Sequence, residues 1–442
     1  MQRARKLRGL VRSLVTVVVL YVMLVVVARG DLPVSARQLA QAVDQRLSLL
    51  ALFQNHVLST RFATPKFASI PSPAAPLLTF TVTNTNDSGI GSLREAMQDA
   101  NNNAGPDTIN FNIPGAGVQT ITLLSGLPGL NQPTVIDGRT QPGFAGTPLI
   151  ELNGNGVSGD GLVFLGGDST VRGLIINRFS GNGITAQNTG NNVFAGNYIG
   201  TNAAGTAALP NGQNGIQLLG PPSNTIGGLT AADRNVISGN NQTGIVIQNS
   251  SATGNTVIGN YIGTNAAGTA AVGNGANGVR IDAPGEIIGG GSAGARNVIS
   301  GNAQAGVLLI NSGPTNNRLQ GNYIGTDAAG ASAVPNQSGV LVGDQVLLRG
   351  VSNSIVGTDG DGVSDATEGN VISGNLQDGV TLLQGGTTNN RVAGNRIGTD
   401  AAGTAPIPNG RDGVRVQQAA AGNVIGTNGD GLSDALERNI IS

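Results

Sequence analysis

The sequence predicts an all-β chain wound as a right-handed parallel β-helix, with a short N-terminal capping helix and a separate helical leader. Three observations predict it: a composition rich in turn formers, phrases that recur along the chain, and three short apolar runs in every repeat. Of 442 residues, 70 are Gly and 47 are Asn, while hydrophobic residues reach 39%. Gly costs roughly 1 kcal/mol relative to Ala inside a helix, which excludes an ordinary helical or doubly wound enzyme. The apolar fraction suffices for a core, so disorder is excluded as well.

The phrase GNYIGTNAAGTA at Gly196 returns at Gly259, as GNYIGTDAAGAS at Gly321 and as GNRIGTDAAGTA at Gly394, at spacings of 63, 62 and 73. Between these copies a second marker, Gly followed by Ile or Val, starts short alternating runs at Ile184, Ile216, Ile245, Val279, Val307, Val340, Val380 and Val414. The earlier step from Leu162 to Ile184 is shorter than any of these, about 22 residues, near the lower end of solenoid repeats. It suggests a bare unit that later units decorate with loops. GIVI at Gly244, NTVIG at Asn255 and YIG at Tyr261 illustrate the three runs, each of strand length. Three strands in a unit of this size fit one coil of a solenoid. Inward Ile, Val and Leu then form aliphatic stacks, and Gly and Asn take left-handed corners. Asn182, Asn240, Asn302 and Asn375 are expected at equivalent corners, where side-chain amides can ladder from coil to coil. A leucine-rich horseshoe lacks its leucine spacing here, and a propeller would need more aromatics than 3%.

The ends of the chain carry other signals. Arg3, Arg5, Lys6, Arg8 and Arg12 precede the apolar run of residues 14–28, the layout of an export signal. That run is shorter than the stretch of about 20 apolar residues that spans a bilayer, so membrane association is expected only through an uncleaved N-terminal segment. Without residues 1–28 the chain keeps 19 basic and 25 acidic residues, which argues against nucleic acid as a partner. There is no Cys, so stability must come from packing, backbone ladders or hard cations. Residues 29–78 read as a leader, with Leu39, Val43, Leu47 and Leu50 on one helical face and a Pro- and Ala-rich linker. Residues 79–115 read as a cap and 116–442 as the β-helix. The last residues, RNIIS, repeat the start of RNVISGN at residues 234–240 and 296–302, which suggests an array truncated in mid-phrase. An exposed last coil would permit end-to-end self-association.

Within the cap segment, Ser92 and Glu95 form the S-x-x-E capping box that opens a short helix through Ala100, with Leu93, Ala96 and Met97 on one face and Arg94 outside it. The stretch FTVTNTNDSGIGSLREAMQDANNNAGPDTINFNIPG, residues 80–115, resembles the N-terminal segment of bacterial exported proteins that carry the CSLREA motif, with Gly91 at the Cys position. TVIDGRTQPGF, NVISGN and GNYIGTDAAGT strengthen that resemblance. It implies a β-helix similar to that of pectate lyases, and it assigns no chemistry. Resemblance and export together imply an extracellular or cell-surface scaffold with an adhesion or matrix role and a glycan or surface ligand. The alternative is a calcium-assisted polysaccharide lyase or hydrolase.

Candidate catalytic residues are few. The one His, His56, lies in the leader, so a Ser-His triad or His-based zinc site on the repeat body is excluded. Arg172, Arg280, Arg318, Arg349, Arg391 and Arg415 remain as candidate bases, and Asp160 with Asp168 or Asp282 with Glu286 as carboxylate pairs. None is identified by its neighbours, so no catalytic residue is assigned. Asp327 and Asp400 stand where sister repeats have Asn202 and Asn265, a swap that points to turn chemistry. Tyr198, Tyr261 and Tyr323 recur two coils apart and read as packing beside the strand.

One acidic constellation stands out. Where earlier coils have GGLTAADR and GGGSAGAR, later ones carry GTDGDGVSDATEG from Gly357 and GTNGDGLSDALER from Gly426. Counting each Gly as position 1, oxygen-bearing side chains fall at positions 3, 5, 9 and 12: Asp359, Asp361, Asp365 and Glu368, then Asn428, Asp430, Asp434 and Glu437. Gly362 and Gly431 hold position 6. This is the ligand order of a calcium loop without its first carboxylate, so calcium is the one cofactor the sequence suggests. The two loops are expected to project from one face about 10 Å apart.

Overall fold

The computed structural model describes residues 77–310, 313–343 and 350–442; the export signal and helical leader lie outside them. Successive coils add strands to three parallel sheets, of twelve, eleven and nine strands. Ile216–Leu219 lies in the third sheet, Thr225–Gly227 in the first and Val236–Ile237 in the second, and Ile245–Gln248 then returns to the third, paired with Ile216–Leu219. The winding is a right-handed parallel β-helix, the hand that crossovers between parallel strands adopt almost without exception. The described helices are short, and none is long and apolar enough to cross a membrane.

The sequence markers are in register. Leu162 pairs with Ile184, and Ile184 with Ile216, Ile245, Val279, Val307, Val340, Val380 and Val414 in turn. The marker side chains from Leu162 to Val380 are buried, and Val414, in the last strand of the third sheet, packs against the core. Each marker follows a glycine because the coil turns tightly there: a Cβ on Gly215 would stand 2.5 Å from Ile237 Cγ2 and 2.7 Å from the Gly244 carbonyl.

Each of the three corners carries its own column of buried side chains. Between the first and second sheets run Asn197, Asn235, Asn260, Asn297, Asn322, Asn370, Asn395 and Asn439. In each link an Nδ2 donates to the next Oδ1, at 2.8–3.1 Å. Asn235 also donates to the Phe194 carbonyl and accepts from the Asn197 amide, so all its polar atoms are engaged. The second column runs from Asn211 through Asn240, Asn274, Asn302, Asn336 and Asn375 to Asn409. Asn182 does not belong to it, contrary to the expectation from sequence. It bonds Asp160, Thr185 and Gln217, while Phe179 stands at the corner of that coil and donates its amide to Asn211, where the column begins one coil later. At these two corners the left-handed residue is the Gly just before the column Asn, as at Gly196, Gly239 and Gly259, while at the third corner Asn191, Asn316 and Asn389 hold positive φ, as expected of Asn.

The third column contains a substitution. Asn192, Asn224 and Asn255 lead to Glu286, followed by Asn317, Ser354 and Asn390. Glu286 accepts from the Asn255 amide and Nδ2 at 2.9 and 3.3 Å, while its own amide donates to Asn317 Oδ1. Burial pushes its carboxyl up to about 8, against the opposing pull of the Asn255 donors.

The helix Leu93–Asn102 covers the first coil. Ser92 Oγ accepts from the Glu95 amide, as the capping box predicts, but Glu95 Oε2 accepts from the Gly91 amide, and the Ser92 amide donates to the Gly89 carbonyl instead. The helix runs two residues past Ala100, and Leu93, Ala96, Met97 and Ala100 are buried. Arg94 ties Asp87 to the carbonyls of Ser125 and Gly126, a structural role.

Loops decorate alternate coils at two corners. Residues 200–209, 263–272, 325–334 and 398–407 form tight hairpins, bridged at Thr201 to Ala208 and its repeats. Successive hairpins touch directly, with Ala266, Ala328 and Ala401 amides donating to the carbonyls of Gly205, Gly268 and Gly330. Asn202, Asn265, Asp327 and Asp400 each accept backbone amides within their own hairpin, as the swap between copies suggests.

The columns can be tested by substitution and by pH. Asn297→Leu leaves buried partners unpaired and should destabilise the chain by about 2–4 kcal/mol in urea unfolding. Between pH 4.5 and 8 the folded state holds one proton more than the unfolded state, through Glu286. Stability should therefore fall as pH rises through that window, by at most about 1.4 kcal/mol per pH unit, and level off above it. Glu286→Gln should flatten that slope.

Candidate functional site

The acidic loops sit between the first and second sheets, joining Ile355–Gly357 to Val371–Ile372 and Val424–Ile425 to Ile440–Ile441. In the first loop Thr358 Oγ1 lies 2.9 Å from Asp365 Oδ1 and 3.1 Å from Glu368 Oε2. The amides of Asp359 and Gly362 donate to Glu368 and Asp365, and a single turn of helix, Asp365–Glu368, presents both carboxylates inward. Oxygens of Asp359, Asp365 and Glu368 all fall within 4.8 Å of one another. Burial raises the Glu368 carboxyl, and the charges of Asp359 and Asp365 raise it further. Burial also acts to raise Asp365, but hydrogen bonds from Ser433, Thr358 and Gly362 outweigh it and hold that carboxyl low.

The second loop repeats the plan. Thr427 Oγ1 donates to Asp434 and the Asn428 amide to Glu437, and oxygens of Asp430, Asp434 and Glu437 converge within 4.8 Å. Each loop thus gathers three of the four side chains the sequence suggests. Asp361 is not among the first three; its carboxylate caps the Val363 amide at 2.7 Å, and its counterpart Asp430 caps the Leu432 amide yet still joins the second group. Asn428 turns its Nδ2 to Asp430. Gly362 and Gly431 both have positive φ, 87° and 86°, the sharp turn expected at position 6.

The loops are not independent projections held apart by the coil spacing; they are stacked. Arg391, in the intervening coil, donates to the Asp359 carbonyl from Nη1 and pairs with the buried Glu437 through Nη2. A Cβ on Gly360 would collide with Glu437 Oε1. Arg318 pairs with Asp359 Oδ2 on the other side. Two of the candidate bases are therefore committed to loop carboxylates. Arg280 faces Asp282, and Arg349 lies outside the described residues. The pair Asp282 and Glu286 is not a pair, since Glu286 is buried in its column. Asp160 and Asp168 bond separate partners, Asn182 and Asn191. Tyr261 and Tyr323 lie beneath Arg234 and Arg296, with guanidinium carbons 4.3 and 4.2 Å from the ring centres.

A second feature escaped sequence reading. On the outer face of the third sheet lies a groove of about 480 Å³. Gln304, Gln337, Gln377 and Arg411 line one wall in successive coils, linked amide to carbonyl. Leu308, Leu341, Thr381 and Arg415, paired in register, form its floor. Arg415 lies 3.6 Å from Asp378 and 3.9 Å from Asp412 and is partly exposed. The signal was present, as a polar residue three positions before each of the last four Val markers, but its significance required knowing that the position faces outward beside a strand.

A family model described as a right-handed β-helix region matches residues 145–283. No curated protein matches the chain. Among solved structures, the A-module of an Azotobacter vinelandii mannuronan C-5 epimerase is 15% identical, with a TM-score of 0.43 over 79% of this chain and 99% of that one. A PL6 family polysaccharide lyase from Pseudopedobacter saltans is 13% identical, with a TM-score of 0.37 over 82% and 91%. The catalytic domain of a GH87 α-1,3-glucanase is 13% identical, with a TM-score of 0.33 over 82% and 68%. At these values the likeness is one of winding and assigns no activity.

The stacked arrangement makes one prediction. Arg391→Met strips the buried Glu437 of its cation and should cost about 3–5 kcal/mol. Adding Glu437→Gln to it should recover most of that loss in urea unfolding.

Proposed function

We propose that the chain is an exported β-helix scaffold that holds an acidic glycan lengthwise in the groove of the third sheet, in a cell-surface or matrix role. The observation that carries this reading is the row Gln304, Gln337, Gln377 and Arg411, repeated coil by coil beside Arg415. A primary amide offers both a donor and an acceptor to sugar hydroxyls, and an Arg fork binds a carboxylate at two points. A row with one polar side chain per coil, roughly 4.8 Å apart, suits a polymer better than a compact ligand. The basic and apolar start of the chain and the resemblance of residues 80–115 to CSLREA-motif exported proteins support export.

The second reading, cleavage of the bound polysaccharide, is favoured by Arg415 standing beside Asp378 and Asp412 in the groove. In that reading Arg415 pairs with the uronate carboxylate, Asp412, the exposed one of the two acids, takes the C5 proton, and the C4–O bond breaks to leave a C4–C5 double bond, the leaving oxygen taking a proton from water.

Isothermal titration of the full chain with polygalacturonate, alginate and neutral dextran tests both readings. The expected result is binding to the polyuronates over dextran. Arg411→Gln and Arg415→Gln should each lower affinity by roughly 10- to 100-fold, the worth of one charged hydrogen bond. Absence of binding to every polyanion would sink the glycan reading. An ultraviolet-absorbing unsaturated product, lost in Arg415→Gln, would replace the scaffold with a lyase.

A further inference from the structure

Three carboxylates gathered at the base of a loop whose tip is exposed need an explanation beyond sequence pattern. Asp365 and Glu368 are buried, and the Asp359 side chain is 8% exposed. Asp359 divides its oxygens: Oδ2 meets Arg318, while Oδ1 is buried and accepts no hydrogen bond. A buried carboxylate oxygen without a donor has lost its water and gained nothing in exchange, which ordinarily costs stability. Asp359 is also one of the three residues whose oxygens converge. Two ligands of one calcium ion, each about 2.4 Å from it, can stand no more than about 4.8 Å apart. All three carboxylates meet that limit.

We propose that residues 357–369 form a divalent-cation site of calcium size, with Asp359, Asp365 and Glu368 as its carboxylate ligands. The choice of cation follows from the donor set. Hard oxygens without Cys or His favour hard cations over soft and borderline metals. A flexible loop that offers three carboxylates suits calcium, whereas magnesium demands a near-ideal octahedron and retains its waters. The ion supplies Asp359 Oδ1 with the positive partner that Arg318, committed to Oδ2, does not provide. It also neutralises like charges that the fold forces together. Because Ser433 of the next loop bonds Asp365, and Glu437 packs against Gly360, the occupied site would fasten two decorated coils to each other. The second loop, with Asp430 exposed and Asn428 in place of Asp359, is the weaker copy. This inference is independent of the groove.

The test uses the full chain freed of metal with chelator and titrated with calcium chloride, followed by calorimetry and thermal unfolding. Expected are saturable heat with a dissociation constant of about 10⁻³ M or tighter, the range of extracellular calcium modules, and a higher unfolding midpoint in calcium than in chelator. Magnesium should give a smaller rise. Asp365→Asn combined with Glu368→Gln should weaken the tighter equivalent at least tenfold, whereas Asp430→Asn with Asp434→Asn should leave it intact. No heat and no midpoint change on saturating with calcium would overturn the proposal, and this outcome needs no variant to fold. So would equal stabilisation by magnesium, or wild-type affinity in the folded Asp365→Asn/Glu368→Gln chain.

Discussion

Everything in this protein depends on each coil lying directly on the one before it, at the roughly 4.8 Å spacing of paired strands. Backbone ladders supply that spacing along the sheets but fail at the corners, where the chain turns and its polar groups are shut away from water. The asparagine columns solve this problem. A side-chain amide carries a donor and an acceptor on a short stem, so Asn235 can serve the coil below, the coil above and its own backbone. The pattern tolerates few substitutes. Glu286 occupies a rung with acceptors alone unless it is protonated, and burial drives its carboxyl upward in spite of the Asn255 donors it accepts from.

The same spacing governs the outer surface. A hairpin or acidic loop is thicker than one coil, so decorations alternate between two corners and each spans the rise of two coils before meeting the next of its kind. The contact from Ala266 to Gly205 and the reach of Glu437 to Gly360 both express this. The loops become secondary columns, and charged side chains are trapped between them. Arg391 and Arg318 are held in place as counterions for that reason. Along the stretch of the third sheet that bears the groove, the side chains of Gln304, Gln337, Gln377 and Arg415 line it instead of being covered by stacked loops.

Much of the architecture was legible because the repeat is chemical as well as numerical. A regular interval, a Gly before each apolar marker and an Asn at each turn are all consequences of one geometry, so reading any of them points to the others. The carboxylates of the acidic loops were legible for a related reason, since a sharp turn at Gly362 brings residues before and after it together. Legibility ended at single rungs. Asn182 follows a Ser-Gly pair as Asn240, Asn302 and Asn375 do, yet Phe179 holds the corner of its coil and the column begins one coil later at Asn211. Glu286 reads as a solvent carboxylate near Asp282 and is instead buried.

Local pattern was enough to dictate the winding, the inward aliphatic stacks and the positions of turns and loops, because these follow from periodicity and from the steric freedom of Gly. Which side chains become neighbours across coils was settled only in the folded chain. The stacking of the two acidic loops, the orphaned oxygen of Asp359 and the outward row that lines the groove all join residues far apart in sequence. Their separation in space is set by loop thickness and coil rise, quantities that no local pattern encodes.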